Sequence, residues 1–243
     1  MLTALSTGRT GLHANQYKLD ALSNEIANVN TVGYKRDRIS FQELIQNTDT
    51  SIGTKASTNK TDFTQGSLQQ THNKWDFAIS GEGYFGITDN QGNQFLTRNG
   101  AFHLTENGDI VDDNGNGLFI EYTGVTGYSL EDLQVNPEGI LSSTINGEVV
   151  EVGFIPLYKA ENPQALIKLG NGLFFVNGDE EILNSFDNPQ EFGKIESGFL
   201  EMSNSELTQA MTDMIVTQRA YSLNAQTIRS TDDIMRLITE IKR

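Results

Sequence analysis

The sequence predicts an α+β protein in which long N- and C-terminal helices pair as a coiled coil and carry an inserted all-β domain. Three observations support this. Residues 200–243 contain neither Gly nor Pro, in a chain that holds 23 glycines. Apolar residues recur at heptad spacing at both ends. Between the ends, the pattern changes to short apolar runs broken by turn signals.

The C-terminal element comes first because its pattern is longest. Leu207, Met214, Tyr221, Ile228 and Met235 recur every seven residues, and Ala210, Thr217, Asn224, Thr231 and Ile238 follow three positions behind. Ser203 and Glu206 have capping-box spacing, which places the helix start near residue 204. At 1.5 Å per residue, roughly 37 residues span about 55 Å. The N-terminal segment repeats the style, with Leu5, Leu12, Leu19 and Ile26 in one row and Gly8, Asn15, Leu22 and Val29 in the other. Ordinary core-facing helices are the simpler alternative, but those run ~8–20 residues and have a wider apolar face. Asn and Thr at seam positions fix register at a cost in stability, which further copies of the chain would offset.

Between the helices, residues 46–61, QNTDTSIGTKASTNKT, offer only Ile52 and Ala56 as apolar side chains and are expected to form a loop. From residue 75 the runs WDFAIS, GEGYFGIT, FLTRNG, AFHLTENGDIV and LFIEY read as strands. Asn99-Gly100 and Asn107-Gly108 are hairpin signals, and Pro156 marks an edge or a strand end. The expected layout is an N-terminal helix over 1–33, a loop or connector over 34–68, a β-rich domain over 69–198 and a C-terminal helix over 199–243.

Charge follows the same division. The net charge of -15 argues against nucleic acid as a partner. Residues 1–45 carry five Lys/Arg against four Asp/Glu, and residues 200–243 five against six, so the middle holds the whole excess. Near-neutral ends pack against copies of themselves, whereas an acidic middle favours water. With no cysteine, disulfide and thiolate chemistry are excluded. The N-terminus lacks the pattern of a cleaved secretory signal, and no run of ~20 apolar residues predicts membrane insertion. A soluble protein is expected.

No catalytic constellation emerges. Residues 112–117, DDNGNG, place Asp112, Asn114 and Asn116 like the start of a calcium loop. The twelfth position is Thr123 rather than Glu, and the flanks read as strands, so a tight β-turn explains the letters better. His13, His72 and His103 lack metal-ligand spacing. Gly81-Glu82-Gly83 lacks the third glycine and following helix of a phosphate loop. Neither an enzyme, a cofactor nor a metal is expected. A glycan-cleaving site would need two suitably spaced carboxylates in a cleft.

The stretch ANVNTVGYKR, residues 27–36, ends the first helix in amides, Asn28 and Asn30, followed by Gly33, Tyr34, Lys35 and Arg36. Gly33 is suited to the αL conformation that terminates a helix. The two amides can bond freed backbone groups or a neighbouring subunit, and Lys35 and Arg36 can meet acidic surface. A polar helix end without intersubunit role is the competing account.

With its upstream residues, LDALSNEIANVNTVGYKR (19–36) resembles the N-terminal signature of flagellar axial proteins. MTDMIVTQRAYSLNAQTIRSTDDIMR (211–236), with Gln218, Arg219, Ala220 and Tyr221 at its centre, resembles the matching C-terminal signature. DFAISGEGYFGI, FLTRNGAFHLTENGDIV and SGFLEMSNSEL are similar to the β domain and return segment of the flagellar basal-body rod protein family.

The resemblance implies a structural subunit whose paired terminal helices line the inner wall of a helical tube, with the β domain outside them. It implies self-assembly into a torque-transmitting shaft beside neighbouring rod and hook proteins, after unfolded export through the flagellar type III apparatus. The assembly residues would be Leu5, Leu12, Leu19, Leu22, Ile26, Asn28, Asn30, Gly33 and Tyr34. On the C-terminal helix they would be Leu207, Met214, Gln218, Arg219, Tyr221, Ile228, Met235 and Ile238. Residues 196–207 and Gln218–Tyr221 look like the distal rod type. The stretch between Leu44 and Gln65 is shorter than that type's insertion, which leaves the proximal type open. A different class also fits the helix pattern: a β domain on a coiled-coil stalk, binding cell-wall glycan or a cationic partner.

Overall fold

The first helix, α1, runs over Leu2–Ala27 and the second, α2, over Leu207–Ile241. The computed structural model describes every residue except 1, 47–49, 106, 107, 126, 127, 129–131, 146, 177–181, 242 and 243. Its chain forms two compact units: Met1–Val29 with Arg36–Asp62 and Ser205–Arg243, and Asn30–Lys35 with Phe63–Asn204.

In the first unit, the helices touch along an antiparallel line that small residues permit. A Cβ added at Gly8 would lie 3.0 Å from Ile228 Cγ1, and one at Gly11 would lie 2.9 Å from the Asn224 amide nitrogen. On α2 the inward residues include Ala210, Met214, Thr217, Asn224, Ile228 and Thr231, and every described residue after Thr231 is exposed. Polar seam residues satisfy themselves on their own helix. The Thr217 hydroxyl donates to Asp213 O at 2.7 Å, and the Asn15 amide to Gly11 O at 2.8 Å. Such back-bonds lower the cost of burying a polar group.

The expected loop over 46–61 is instead a strand over most of its length. β1 (Asp37–Gln46) and β2 (Thr50–Thr61) form an antiparallel ribbon with Phe41 opposite Ala56. Residues 47–49 lie outside the described residues. The apolar count misled because β2 packs on α1 through backbone and hydroxyl groups: Thr54 N donates to Thr10 Oγ1 at 3.2 Å, and a Cβ on Gly53 would strike the Thr10 side chain. Its threonines still suit a pleated strand.

α2 begins at Leu207 rather than near 204, with Ala210 N bonding Glu206 O at 2.9 Å. Asn204 cannot join the helix because its backbone N–H donates to Tyr34 O and its amide to Thr64 O.

The second unit is antiparallel β throughout its described pairs. A nine-stranded sheet is centred on Tyr84–Thr88 and Gln94–Thr97, and a four-stranded sheet on Ile140–Ile145 and Glu148–Phe154. Between them lies a core of Phe77, Ile79, Phe85, Phe102, Leu141, Val152, Ile155 and Ile195, each at most 2 % exposed. Phe85 and Phe102 meet edge-to-face at 5.6 Å.

The turn signals divide in outcome. Phe102–Leu104 pairs with Ile110–Asp112 across a connection in which Gly108 has φ +91°; Asn107 lies outside the described residues. Asn99-Gly100 does not close a hairpin, since the strands on either side of it are not neighbours in the sheet. Asn99 Oδ1 instead accepts from Ala101 N, and Gly100 O from Phe77 N. A side chain at Gly100 would collide with Phe77 O. In DDNGNG, the buried Asp112 carboxylate accepts from the backbone N–H of Asn114 and Asn116 at 2.9 and 2.8 Å, the turn reading of that motif. Pro156 falls between strands Glu148–Phe154 and Leu157–Ala160.

Phe85→Ala is expected to destabilise the β unit by about 3–5 kcal/mol, since it removes a fully buried ring from the centre of the core. Urea unfolding of the full chain measures this, and a loss below about 1 kcal/mol would contradict the packing described.

Candidate functional site

ANVNTVGYKR is anchored by charge. Within the β unit the chain passes the same point three times: at Gly33–Lys35, at Thr64–Gly66 and at Glu201–Asn204. Glu201 is the node. Its Oε1 accepts from Lys35 Nζ at 2.6 Å and from Gly66 N at 2.9 Å, and its Oε2 from Arg98 Nη1 at 3.0 Å. Its backbone O accepts from Gly33 N at 2.8 Å. Lys35 also donates to Thr64 O at 2.7 Å, and Arg98 Nη2 to Gly81 O at 2.9 Å. Lys35 and Glu201 are 1 % exposed and Arg98 5 %.

Each charge here is buried, so each must be paired and hydrogen-bonded. Two cations face one carboxylate, and the carbonyls of Thr64 and Gly81 accept one further bond each from Lys35 and Arg98, while Arg98 Nε is buried without a partner among the described residues. Arg98 also stacks on the Tyr84 ring, 5.0 Å from its centroid. Burial pushes the Tyr84 phenol up to about 12; Arg98 pulls it down, and Glu201 and Glu82 push it up further.

Gly33 has φ +68°, the αL conformation expected, but it sits six residues beyond the end of α1 and caps nothing. Its role is close approach: a Cβ there would lie 2.6 Å from the Arg98 carbonyl carbon and the Asn99 nitrogen. The helix end is satisfied by Asn28, whose backbone N–H and side-chain amide both donate to Asn24 O. Asn30 is exposed. Tyr34 lies under Lys168, whose ammonium is 4.4 Å from the ring centroid and donates to Lys35 O at 2.8 Å. Lys35, expected to meet acidic surface, pairs with the buried Glu201 of its own chain. Arg36, in the helical unit, pairs with Asp62 at 3.1 Å.

The helix residues expected to act in assembly divide by exposure. Leu22 is buried, and Leu12, Leu19, Ile26, Met214 and Ile228 are half-buried. Leu5, Leu207, Gln218, Arg219, Tyr221, Met235 and Ile238 are exposed. Sequence reasoning missed Glu201, Arg98, Thr64 and Gly66. One signal was present: a lone carboxylate between the apolar Leu200 and Met202 in a strand-forming run.

Among the described residues, no group of acidic or histidine side chains is arranged to hold a metal. No helix among the described residues is long and apolar enough to cross a membrane. The fold and its braced junction define an architectural subunit, with long helices at both termini and a β unit between them.

Comparison with known proteins makes that class specific. Residues 5–35 match the family model described as flagella basal body rod protein. Residues 78–149 match the flagellar hook protein FlgE/F/G D1 domain, and residues 196–241 the flagellar basal body rod FlgEFG protein C-terminal. The chain is 31% identical to the flagellar basal-body rod protein FlgG of Borreliella burgdorferi over 264 aligned positions, covering 100% of both. It is 31% identical to FlgG of Bacillus subtilis over 266 positions, again covering 100% of both. It is 30% identical to the flagellar hook-basal body complex protein FlhP of Bacillus subtilis over 278 positions, with 100% of each covered. The chain belongs to the flagellar basal-body rod protein family and is a structural rod subunit of the flagellar basal body. Against the Borreliella protein, 264 positions for 243 residues leave 21 without a residue of this chain.

Glu201→Ala is expected to lower stability by about 3–5 kcal/mol, because it strands two buried cations; chemical denaturation measures it. A second expectation concerns alkali. A phenol whose folded pKa stands above its unfolded value contributes stability that is complete below the unfolded value and lost as pH rises through the folded one. For Tyr84 that window runs from 10.0 to about 12. Unfolding midpoints should fall across it, and Tyr84→Phe should flatten the fall.

Proposed function

We propose that the chain is a distal-type rod subunit that assembles with its own copies and with neighbouring rod and hook proteins through its terminal helices. The observation that favours this is an outward apolar face on α2. Met211, Ile215, Val216, Leu223, Leu237 and Ile241 are 48, 53, 59, 64, 58 and 85 % exposed. A face of that kind marks an interaction surface. The inward rows of α1 and α2 hold the two helices to each other as a coiled coil, and the outward face of α2 is left for other subunits. Burying roughly 100 Å² of apolar side chain contributes about 2.5 kcal/mol at ~25 cal/mol per Å². Several such positions outweigh the ordering entropy of one subunit.

The distal assignment rests on the relatives named FlgG. FlhP, the hook-basal body complex relative, keeps a second assignment within the family in view. Export as an unfolded chain through the flagellar type III apparatus belongs to the same reading. Catalysis has no part in it.

Two substitutions separate folding from assembly. Ile215→Asp should leave the unfolding free energy of the monomer within about 0.5 kcal/mol while abolishing incorporation into rods and motility. Leu22→Asp, at a residue 7 % exposed, should instead lower monomer stability and helical signal. Normal motility of the Ile215→Asp strain would overturn the assignment of the outer face.

A further inference from the structure

The single tryptophan, Trp75, has no part in the junction or in the helices. It is half-buried at the rim of a cavity of about 400 Å³ that Lys74, Asp132, Gln134, Val135 and Ser197 also line. The ring is held in place. It meets the fully buried Phe77 edge-to-face at 6.5 Å, and the turn carrying it is pinned on both sides. Thr71 N donates to Gly198 O and Gly198 N to Asp76 O, each at 2.8 Å. Asn73 Nδ2 donates to Asp76 Oδ1 at 3.0 Å, and Ser197 Oγ to Lys74 O at 3.0 Å. A rigid aromatic platform at a cavity mouth is more preorganisation than a surface turn requires.

The lining selects the ligand's chemistry. Asp132 accepts, Lys74 donates and Gln134 does both, so the rim offers hydrogen bonds of either sense while its charges cancel. That disfavours a phosphate, which would meet the carboxylate, and a hydrophobic ligand, which would strand the polar rim. A pyranose suits both parts, with its C–H face for the indole and its equatorial polar groups for the rim. An N-acetyl group adds an N–H for Asp132 and a carbonyl for Lys74 or Gln134. The volume lies at the low end of the ~300–1,000 Å³ range of small-ligand sites. The Lys74 ammonium, 5.4 Å from the indole centroid, is carried on a flexible four-carbon stem that lets it move to the rim. We propose that this cavity is a carbohydrate site for a short N-acetylated amino-sugar segment.

With one tryptophan in the chain, intrinsic emission reports from position 75 alone. Titrating the full-length protein with the trimer of N-acetylglucosamine should give a saturable change with Kd on the order of 0.1–1 mM. Asp132→Asn and Gln134→Ala, both at exposed positions, should each raise Kd about tenfold, with the free proteins' emission and circular dichroism unchanged. No saturable change up to about 10 mM, an unchanged Kd in both variants, or an equal response to inorganic phosphate would each overturn the proposal.

Discussion

The β unit closes around one carboxylate. Glu201 stands within hydrogen-bonding distance of two buried cations and one backbone N–H, and its own carbonyl takes the Gly33 N–H. These bonds join three stretches of chain far apart in sequence, 33–35, 64–66 and 201–204. An ion cluster of this kind is a poor source of net stability, because desolvating the charges offsets most of their attraction. What it supplies is geometry. Apolar side chains could fill the same volume in several arrangements, whereas a carboxylate with two cations and a fixed N–H has few.

The helices use polarity differently. Thr217 and Asn15 sit in the seam and bond back to their own helix, so the line between α1 and α2 carries polar groups without leaving them unsatisfied. Gly8 and Gly11 let the backbones approach. The apolar side chains that a stronger seam would have used stand on the outside of α2 instead. Much of the apolar surface of α2 is therefore directed outward.

How much was legible follows from what kind of signal each feature leaves. The rows of α2 were readable only in part: burial on a helix leaves a period, and Ala210, Met214, Thr217, Asn224, Ile228 and Thr231 are turned inward, but Leu207, Tyr221, Met235 and Ile238 of the same rows are exposed. The DDNGNG turn was readable because Asp112 bonds its own local backbone. β2 was not, since a ribbon packed on a helix through hydroxyl and backbone groups leaves no apolar alternation. Asn99-Gly100 has a hairpin's letters but is used as a close contact with Phe77. The junction was the hardest to foresee. Lys35 resembles any other charged residue following a helix, and nothing local in the sequence shows that its partner lies 166 positions away.

The most direct test of the central claim is a double-mutant cycle on Lys35→Met and Glu201→Leu, read by chemical denaturation of the full chain. If Glu201 is the node that fixes the three passages, the single variants should each be severely destabilised. The double variant should then recover part of the loss, with a coupling of roughly 2 kcal/mol or more. Additive losses, with no coupling beyond about 0.5 kcal/mol, would contradict the account.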